Sequence, residues 1–288
     1  MDYYQNKVVL VTGAGSGLGL SIVKQLMTIT NCTILACGRS ELRLKETFGA
    51  YTQVEICCVD LEWDDRKISE SIERIHDRHG RIDVLVNCAG MGFRGTVMDT
   101  SMEVDRRIMQ VDYFGQVAVI KGVLTENRRK GRTNCHIIQI SSVQGYFGIG
   151  ERAPYSAAKH ALVGFMDSLR AEVDTLRDSS DIVVTLVSPG YIATQHSCNA
   201  VTGDGSLYAR NDDTTATGWS PEEVANETLL RSARGRREIV LADKKIKFLI
   251  FMRCMFAALC FRLIRIRHTG SKEPIHKTIL KWLFGFSV

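Results

Sequence analysis

Residues 7–19 read KVVLVTGAGSGLG, and how this stretch folds decides the architecture. Val8 to Val11 form an apolar, β-branched run, which is the signature of a buried strand. The run enters a turn in which Gly13, Gly17 and Gly19 stand where strand must become helix. Without a Cβ, these positions let the chain turn tightly and bring a pyrophosphate against the first amides of the following helix. Ser16 and Leu18 belong to the same turn. A glycine-rich turn alone says little. One that closes a strong strand and opens a helix predicts a dinucleotide site.

Working outward, the same alternation continues. Strands are predicted at 7–13, 32–38, 54–60, 82–90, 135–142, 181–190 and 237–242. Helical patterns lie between them, at 16–28, 40–48, 65–79, 102–127, 155–176 and 221–232. Strands that are apolar throughout, separated by helices, imply a parallel sheet covered on both faces. The fold class is therefore α/β, a doubly wound parallel sheet of the Rossmann type. The expected organisation is one domain over 1–243 followed by a basic, apolar helical tail over 244–288. Ligands of such sheets sit beyond the carboxyl ends of the strands.

Composition bounds the rest. The 288 residues are 45% hydrophobic and 24% charged, an ordinary globular balance, with only 4 prolines and no low-complexity tract. The nine cysteines are odd in number and lack paired zinc spacing, so reduced thiols are expected and no metal site. The opening MDYYQNK lacks a basic region followed by an apolar run, so neither signal peptide nor N-terminal anchor is expected. The net charge of +5 is unevenly placed: from Lys244 onward ten Lys or Arg face one acid, Glu273, and the remainder is acidic. That asymmetry points to an anionic surface met by the tail.

The choice of dinucleotide rests on the end of the second strand, ACGRSE. An acid there would suit a free ribose 2′-hydroxyl, whereas an arginine suits a 2′-phosphate. Arg39 occupies the position, and Glu41 lies past the turn. NADP(H) is therefore expected over NAD(H).

The pair Tyr155 and Lys159, four residues apart, lies on one helix face, and by itself is an ordinary surface pair. It gains weight from company: TGAGSGLG at 12–19, NCAG at 87–90, Ser142 thirteen residues before Tyr155, and Pro189-Gly190 with Thr194 after the sixth strand. This ordered set resembles the short-chain dehydrogenase/reductases over residues 7–243. The stretches DYFGQVAVIK, ISSVQG, YSAAKHAL and LRAEV are similar to the member 7B branch, which is membrane-associated.

The resemblance implies hydride transfer between a nicotinamide and a carbonyl, with Tyr155 as general acid/base. Lys159 would favour the phenolate and hold the ribose, and Ser142 would hydrogen-bond the substrate oxygen, with Ser141 as its rival. Ala157 and Ala158 would leave room for the cofactor. It further implies that Asp60, Leu61, Asn87, Ala89, Gly90, Pro189, Gly190 and Thr194 join the cofactor site. The implied substrates are lipid-like: acyl- or alkyl-dihydroxyacetone phosphate, a steroid or a retinoid. A homodimer is implied too.

One position departs from the pattern. In the family an asparagine in the long helix braces a water that relays protons to the lysine, and here that place is taken by Asp112. An ionised aspartate accepts hydrogen bonds and cannot donate one. The expectation is a preserved relay with altered pH dependence.

Residues 191–220 lack periodicity and are expected to form a substrate lid, with Asn199, Thr202, Ser206, Tyr208 and Arg210 as polar candidates. The tail stretch KFLIFMRCMFAALCFRLIRIR (247–267) has the length of a membrane span but is interrupted by five basic residues. An interfacial helix on the cytosolic face of the endoplasmic reticulum or a peroxisome is expected, the alternative being a helix packed on the enzyme in the cytoplasm. A nucleic-acid arm would not need so apolar a stretch. A different class of reading is a low-turnover cofactor-binding scaffold or redox sensor that docks partners through its tail.

Overall fold

A computed structural model describes residues 2–175, 181–261 and 264. Its centre is a sheet of seven parallel strands in the order β3-β2-β1-β4-β5-β6-β7. The strands are β1 (Val8–Thr12), β2 (Thr33–Gly38), β3 (Val54–Cys58), β4 (Val84–Asn87), β5 (Cys135–Ile140), β6 (Ile182–Pro189) and β7 (Glu238–Leu241). All seven predicted strands form. All five residues of β1 are buried, and the pleat divides them between two cores. Val8 and Leu10 pack into one cluster with Leu85 and Ile137, and Val9 and Val11 into another with Ile34 and Val86.

The helices close these two faces. On the first lie α3 (Asp65–His79), α4 (Met102–Met109), α5 (Gly115–Arg129) and α6 (Ala153–Thr175). On the second lie α1 (Gly17–Leu26), α2 (Glu41–Phe48) and α8 (Pro221–Ala233). α7 (Asp213–Ala216) is a single turn, and α9 (Lys244–Met255) follows β7. The chain order reverses between β1 and β4, and at that switch point a crevice opens beyond the strand ends.

The long helix predicted over 102–127 forms and runs on to Arg129, but its hydrogen-bond pattern widens partway. Residues Gln110–Phe114 form a π-helical turn between α4 and α5. Two contacts hold it. The Gln110 side-chain amide donates to the carbonyls of Leu61 and Trp63, each at 3.0 Å. Gly115 lies so close to Leu61 that a Cβ there would stand 2.6 Å from its carbonyl oxygen. The widened turn shifts the register of the helix, and Asp112 ends wholly buried.

The tail also differs from expectation. The helix stops at Met255, Phe256 leaves helical geometry, and residues 257–261 are helical again. Among the described residues no helix is long and apolar enough to cross a membrane. The inner face of α9 packs on the enzyme: Ile246, Leu249 and Ile250 sit against Val143, Phe147 and Ala242. Its outer face leaves Phe248, Phe251 and Met255 exposed. The rest of the predicted tail, 262–263 and 265–288, lies outside the described residues.

Candidate active site

The crevice at the switch point is a cavity of about 430 Å³. It runs from the glycine turn to Tyr155 and on to the start of α9. Gly13 takes φ +68°, and a Cβ there would lie 2.8 Å from the Cα of Ala89, so only glycine lets β1 and β4 end this close together. Gly19 abuts the carbonyl of Gly13, where a Cβ would come within 2.3 Å. A side chain at either position would push the turn open.

A buried polar network sets the geometry of this end of the sheet. Thr12 Oγ1 donates to Asn87 Oδ1 at 2.9 Å and accepts the backbone N–H groups of Cys88 and Ala89 at 2.9 and 3.1 Å. Asn87 Nδ2 donates to Gln139 Oε1 at 2.9 Å and to the carbonyl of Gln116 at 3.0 Å. Each buried amide is thereby satisfied, and β1, β4, β5 and α5 are tied together.

Most predicted residues line the cavity. Gly13, Ser16, Gly17, Leu18, Gly19, Arg39, Asp60, Leu61, Ala89 and Gly90 do so at the end near the glycine turn. Ser142, Tyr155, Lys159, Pro189, Gly190 and Thr194 do so further along. Two do not. Asn87 is buried inside the network and acts by holding Thr12 and Gln139. Asp112 lies behind Lys159, sealed from the cavity. Of the lid candidates Asn199 lines the cavity, whereas Thr202, Ser206, Tyr208 and Arg210 do not. Thr202 and Ser206 instead bond each other and Asp204 in a tight turn.

Around the tyrosine the arrangement is dense. Ser142, on the turn after β5, lines the cavity with Tyr155, whose proton affinity it lowers, and accepts the Gln144 N–H at 3.2 Å. Ser141 Oγ is buried with no partner among the described residues and lies towards Gly145, so Ser142 is the serine aimed at the tyrosine. Lys159 Nζ stands 5.4 Å from the centre of the Tyr155 ring and 3.2 Å from Asp112 Oδ1. Asp112 Oδ1 also accepts the Met91 N–H at 3.1 Å, while Oδ2 is buried without a partner among the described residues.

These contacts set the proton affinities. Burial raises the Tyr155 phenol above its ordinary value, Lys159 pulls it back, and the Asp112 carboxylate pushes it up again. Burial works against the Lys159 ammonium, but Asp112 and Tyr155 outweigh it and hold the lysine above its usual range. Burial raises the Asp112 carboxyl, and Lys159 opposes the rise.

Several contributors were not read from the sequence. His196, from the lid, meets the Tyr155 ring edge-on, the ring centres 6.0 Å apart. Arg94 and Arg152 both grip Asp212 of the lid, tying it to the end of β4 and the start of α6. Arg43 of α2 lies beside Arg39 on the cavity wall, its stem against Gly15. Met91, Val143, Phe147, Ile149 and Ile246 make the wall beyond Tyr155 apolar. A histidine two residues after Thr194 was the one local signal that could have marked the lid's part.

The fold and the serine, tyrosine and lysine at the strand ends define a class of protein, and residues 7–204 match the short chain dehydrogenase family. The chain belongs to that family and is an oxidoreductase acting on CH–OH groups. It is 38% identical to dehydrogenase/reductase SDR family member 7B of Danio rerio, over 93% of this chain and 89% of that protein. It is 39% identical to the SDR family protein 7-like of Drosophila melanogaster, over 88% of this chain and 78% of that protein. Among solved structures it is similar in fold to a short-chain dehydrogenase/reductase from Burkholderia phymatum in complex with NAD. That likeness has a TM-score of 0.76 at 20% identity and covers 90% of this chain and 96% of that one. The glycine turn, with no side chain to obstruct the approach at Gly13, Gly15 or Gly17, fits the nicotinamide dinucleotide of such enzymes.

Proposed function

We propose that this protein interconverts a carbonyl and an alcohol on a lipid-like substrate with NADP(H). The observation that carries the reading is one continuous cavity. A phosphate-accepting turn with Arg39 and Arg43 stands at one end, Tyr155 and Ser142 lie in the middle, and an apolar wall stands at the other. A bound nicotinamide would supply or accept the hydride. In the reducing direction Ser142 donates a hydrogen bond to the carbonyl oxygen as charge gathers there, and Tyr155 Oη delivers the proton. Lys159, held by Asp112, presents its ammonium to the tyrosine and limits the rise that burial imposes. In the oxidising direction Tyr155 takes the proton back. His196 and Asn199 close the site from the lid side.

The apolar wall suits a steroid, a retinoid or the chain of an acyl- or alkyl-dihydroxyacetone phosphate. The test is a panel of these carbonyls with NADPH and NADH, run on the wild type and Arg39→Ala. The variant should lose about tenfold in NADPH affinity relative to NADH, since a charge-assisted contact to the 2′-phosphate is removed. An unchanged ratio would overturn the cofactor assignment. Turnover of none of the panel would favour the scaffold or sensor reading.

Residues 1–243 form the catalytic unit of this proposal, with 191–220 as lid, and 244–288 is its membrane-associating part. The exposed Phe248, Phe251 and Met255 on α9, beside Lys244, Lys245 and Lys247, suit the surface of an anionic bilayer, which would place the cavity mouth at Ile246 near lipid. The endoplasmic reticulum or a peroxisome, on the cytosolic face, is the proposed location. Phe248→Ser/Phe251→Ser should reduce cosedimentation with phosphatidylserine vesicles several-fold, and undiminished binding would sink this assignment. Pairing through α4, α5 and α6, where Phe114 is exposed, would give the proposed homodimer.

A further inference from the structure

The cavity end that would take the adenine ribose carries an acid as well as its two arginines. Glu62, on the loop after β3, lines the cavity with Arg39, Ser40 and Arg43. Its Oε1 lies 3.7 Å from Arg39 Nη1. A carboxylate so placed should repel a 2′-phosphate and compete with it for Arg39. Yet Glu62 is held elsewhere. Arg107 of α4 takes it in a two-pronged grip, Nε to Oε2 at 3.0 Å and Nη2 to Oε1 at 2.8 Å. The Arg39 side chain is 66% exposed and makes only the longer single contact. Arg107 itself does not line the cavity.

We infer that Arg107 is a positioning residue for cofactor choice. It neutralises Glu62 and holds it by the planar fork of its guanidinium, leaving Arg39 and Arg43 to a 2′-phosphate. The geometry favours this assignment because the bidentate pair outcompetes a single contact at 3.7 Å. Arg43 has no acidic partner among the described ion pairs, so its charge remains available on the same wall. Glu62 is held below the usual carboxylate range by the hydrogen bond from Arg107, in keeping with a carboxylate already satisfied. The inference rests on the NADP(H) reading above, and it adds that selectivity is set from a helix outside the cavity.

The experiment is equilibrium binding of NADPH and NADH to the purified full chain, followed by tryptophan fluorescence, with no turnover required. Arg107→Met should weaken NADPH about fivefold and leave NADH nearly unchanged, because only the 2′-phosphate senses the freed carboxylate. Adding Glu62→Gln to that variant should restore NADPH binding. Glu62→Gln alone should bind NADPH at least as tightly as the wild type. The Arg107→Met loss should shrink at high salt, since these groups are partly exposed. NADH binding by each variant shows that it is folded.

An Arg107→Met variant that weakens both cofactors equally, or neither, overturns the inference, as does a double variant that fails to recover. A Glu62→Gln variant that weakens NADPH also overturns it. These outcomes differ from failure of the NADP(H) reading itself, which shows as an unchanged NADPH-to-NADH ratio in Arg39→Ala.

Discussion

Tyr155→Phe is expected to lower turnover by about three orders of magnitude while cofactor binding persists. General acid–base catalysis contributes roughly 10²- to 10⁴-fold, and Tyr155 is the hydroxyl that lines the cavity with Ser142 beside the Lys159 ammonium. The change removes one oxygen and keeps the ring, so the contacts with His196 and the cavity wall survive. The measurement is steady-state oxidation of NADPH with a substrate found in the panel, alongside fluorescence titration of the cofactor. A variant that binds NADPH normally and keeps more than about a tenth of wild-type turnover would remove Tyr155 from the proton-transfer step.

The second large effect concerns Asp112. In the structure Asp112 meets Lys159 directly at 3.2 Å, with its carboxylate sealed from the cavity. Asp112→Asn keeps the shape and an oxygen for the Met91 N–H and Lys159 but removes the negative charge. The carboxylate raises both Tyr155 and Lys159, so its loss lowers the proton affinity of each.

Reduction needs the protonated phenol, and its alkaline limb should move to lower pH. Oxidation needs the phenolate, and its acidic limb should move to lower pH as well. A shift of one unit or more is expected for the loss of a charge buried beside the group, and one unit corresponds to about 1.4 kcal/mol. Profiles of kcat and kcat/KM in both directions provide the check. If neither limb moves, Asp112 has no influence on the tyrosine's proton and the ion pair serves folding alone. A move to higher pH would mean that the carboxylate does not raise the proton affinity of Tyr155.

Much of the fold was legible because its signals are local. The seven strands are apolar runs, and the helices between them carry the helical period. The glycine turn declared itself because a backbone conformation that other residues rarely adopt leaves a mark in the residue type, as at Gly13 with its φ of +68°. Where the reading missed a feature, the cause lay in contacts distant along the chain. The π turn within the 102–127 helix lies where Gln110 and Gly115 meet Leu61, some fifty residues earlier. Thr202, Ser206, Tyr208 and Arg210 looked as apt as Asn199 for the lid, since polarity alone does not say which way a loop side chain faces.

The sequence by itself determined the class of sheet and the glycine turn between its first strand and helix, and its resemblance to the family pointed to Ser142, Tyr155 and Lys159. The sheet and the turn are written in residue type and short spacing, because strand, turn and helix face are formed by neighbours in the chain. Only the tertiary structure decided that Asp112 is an ion-pair partner of Lys159, and that Asn87 braces the sheet rather than lining the cavity. It also placed α9 as both cavity wall and exposed apolar face, and it set Arg107 to restrain Glu62. Those facts are distances between residues far apart in the chain, and such distances exist only once the sheet has closed around its two cores.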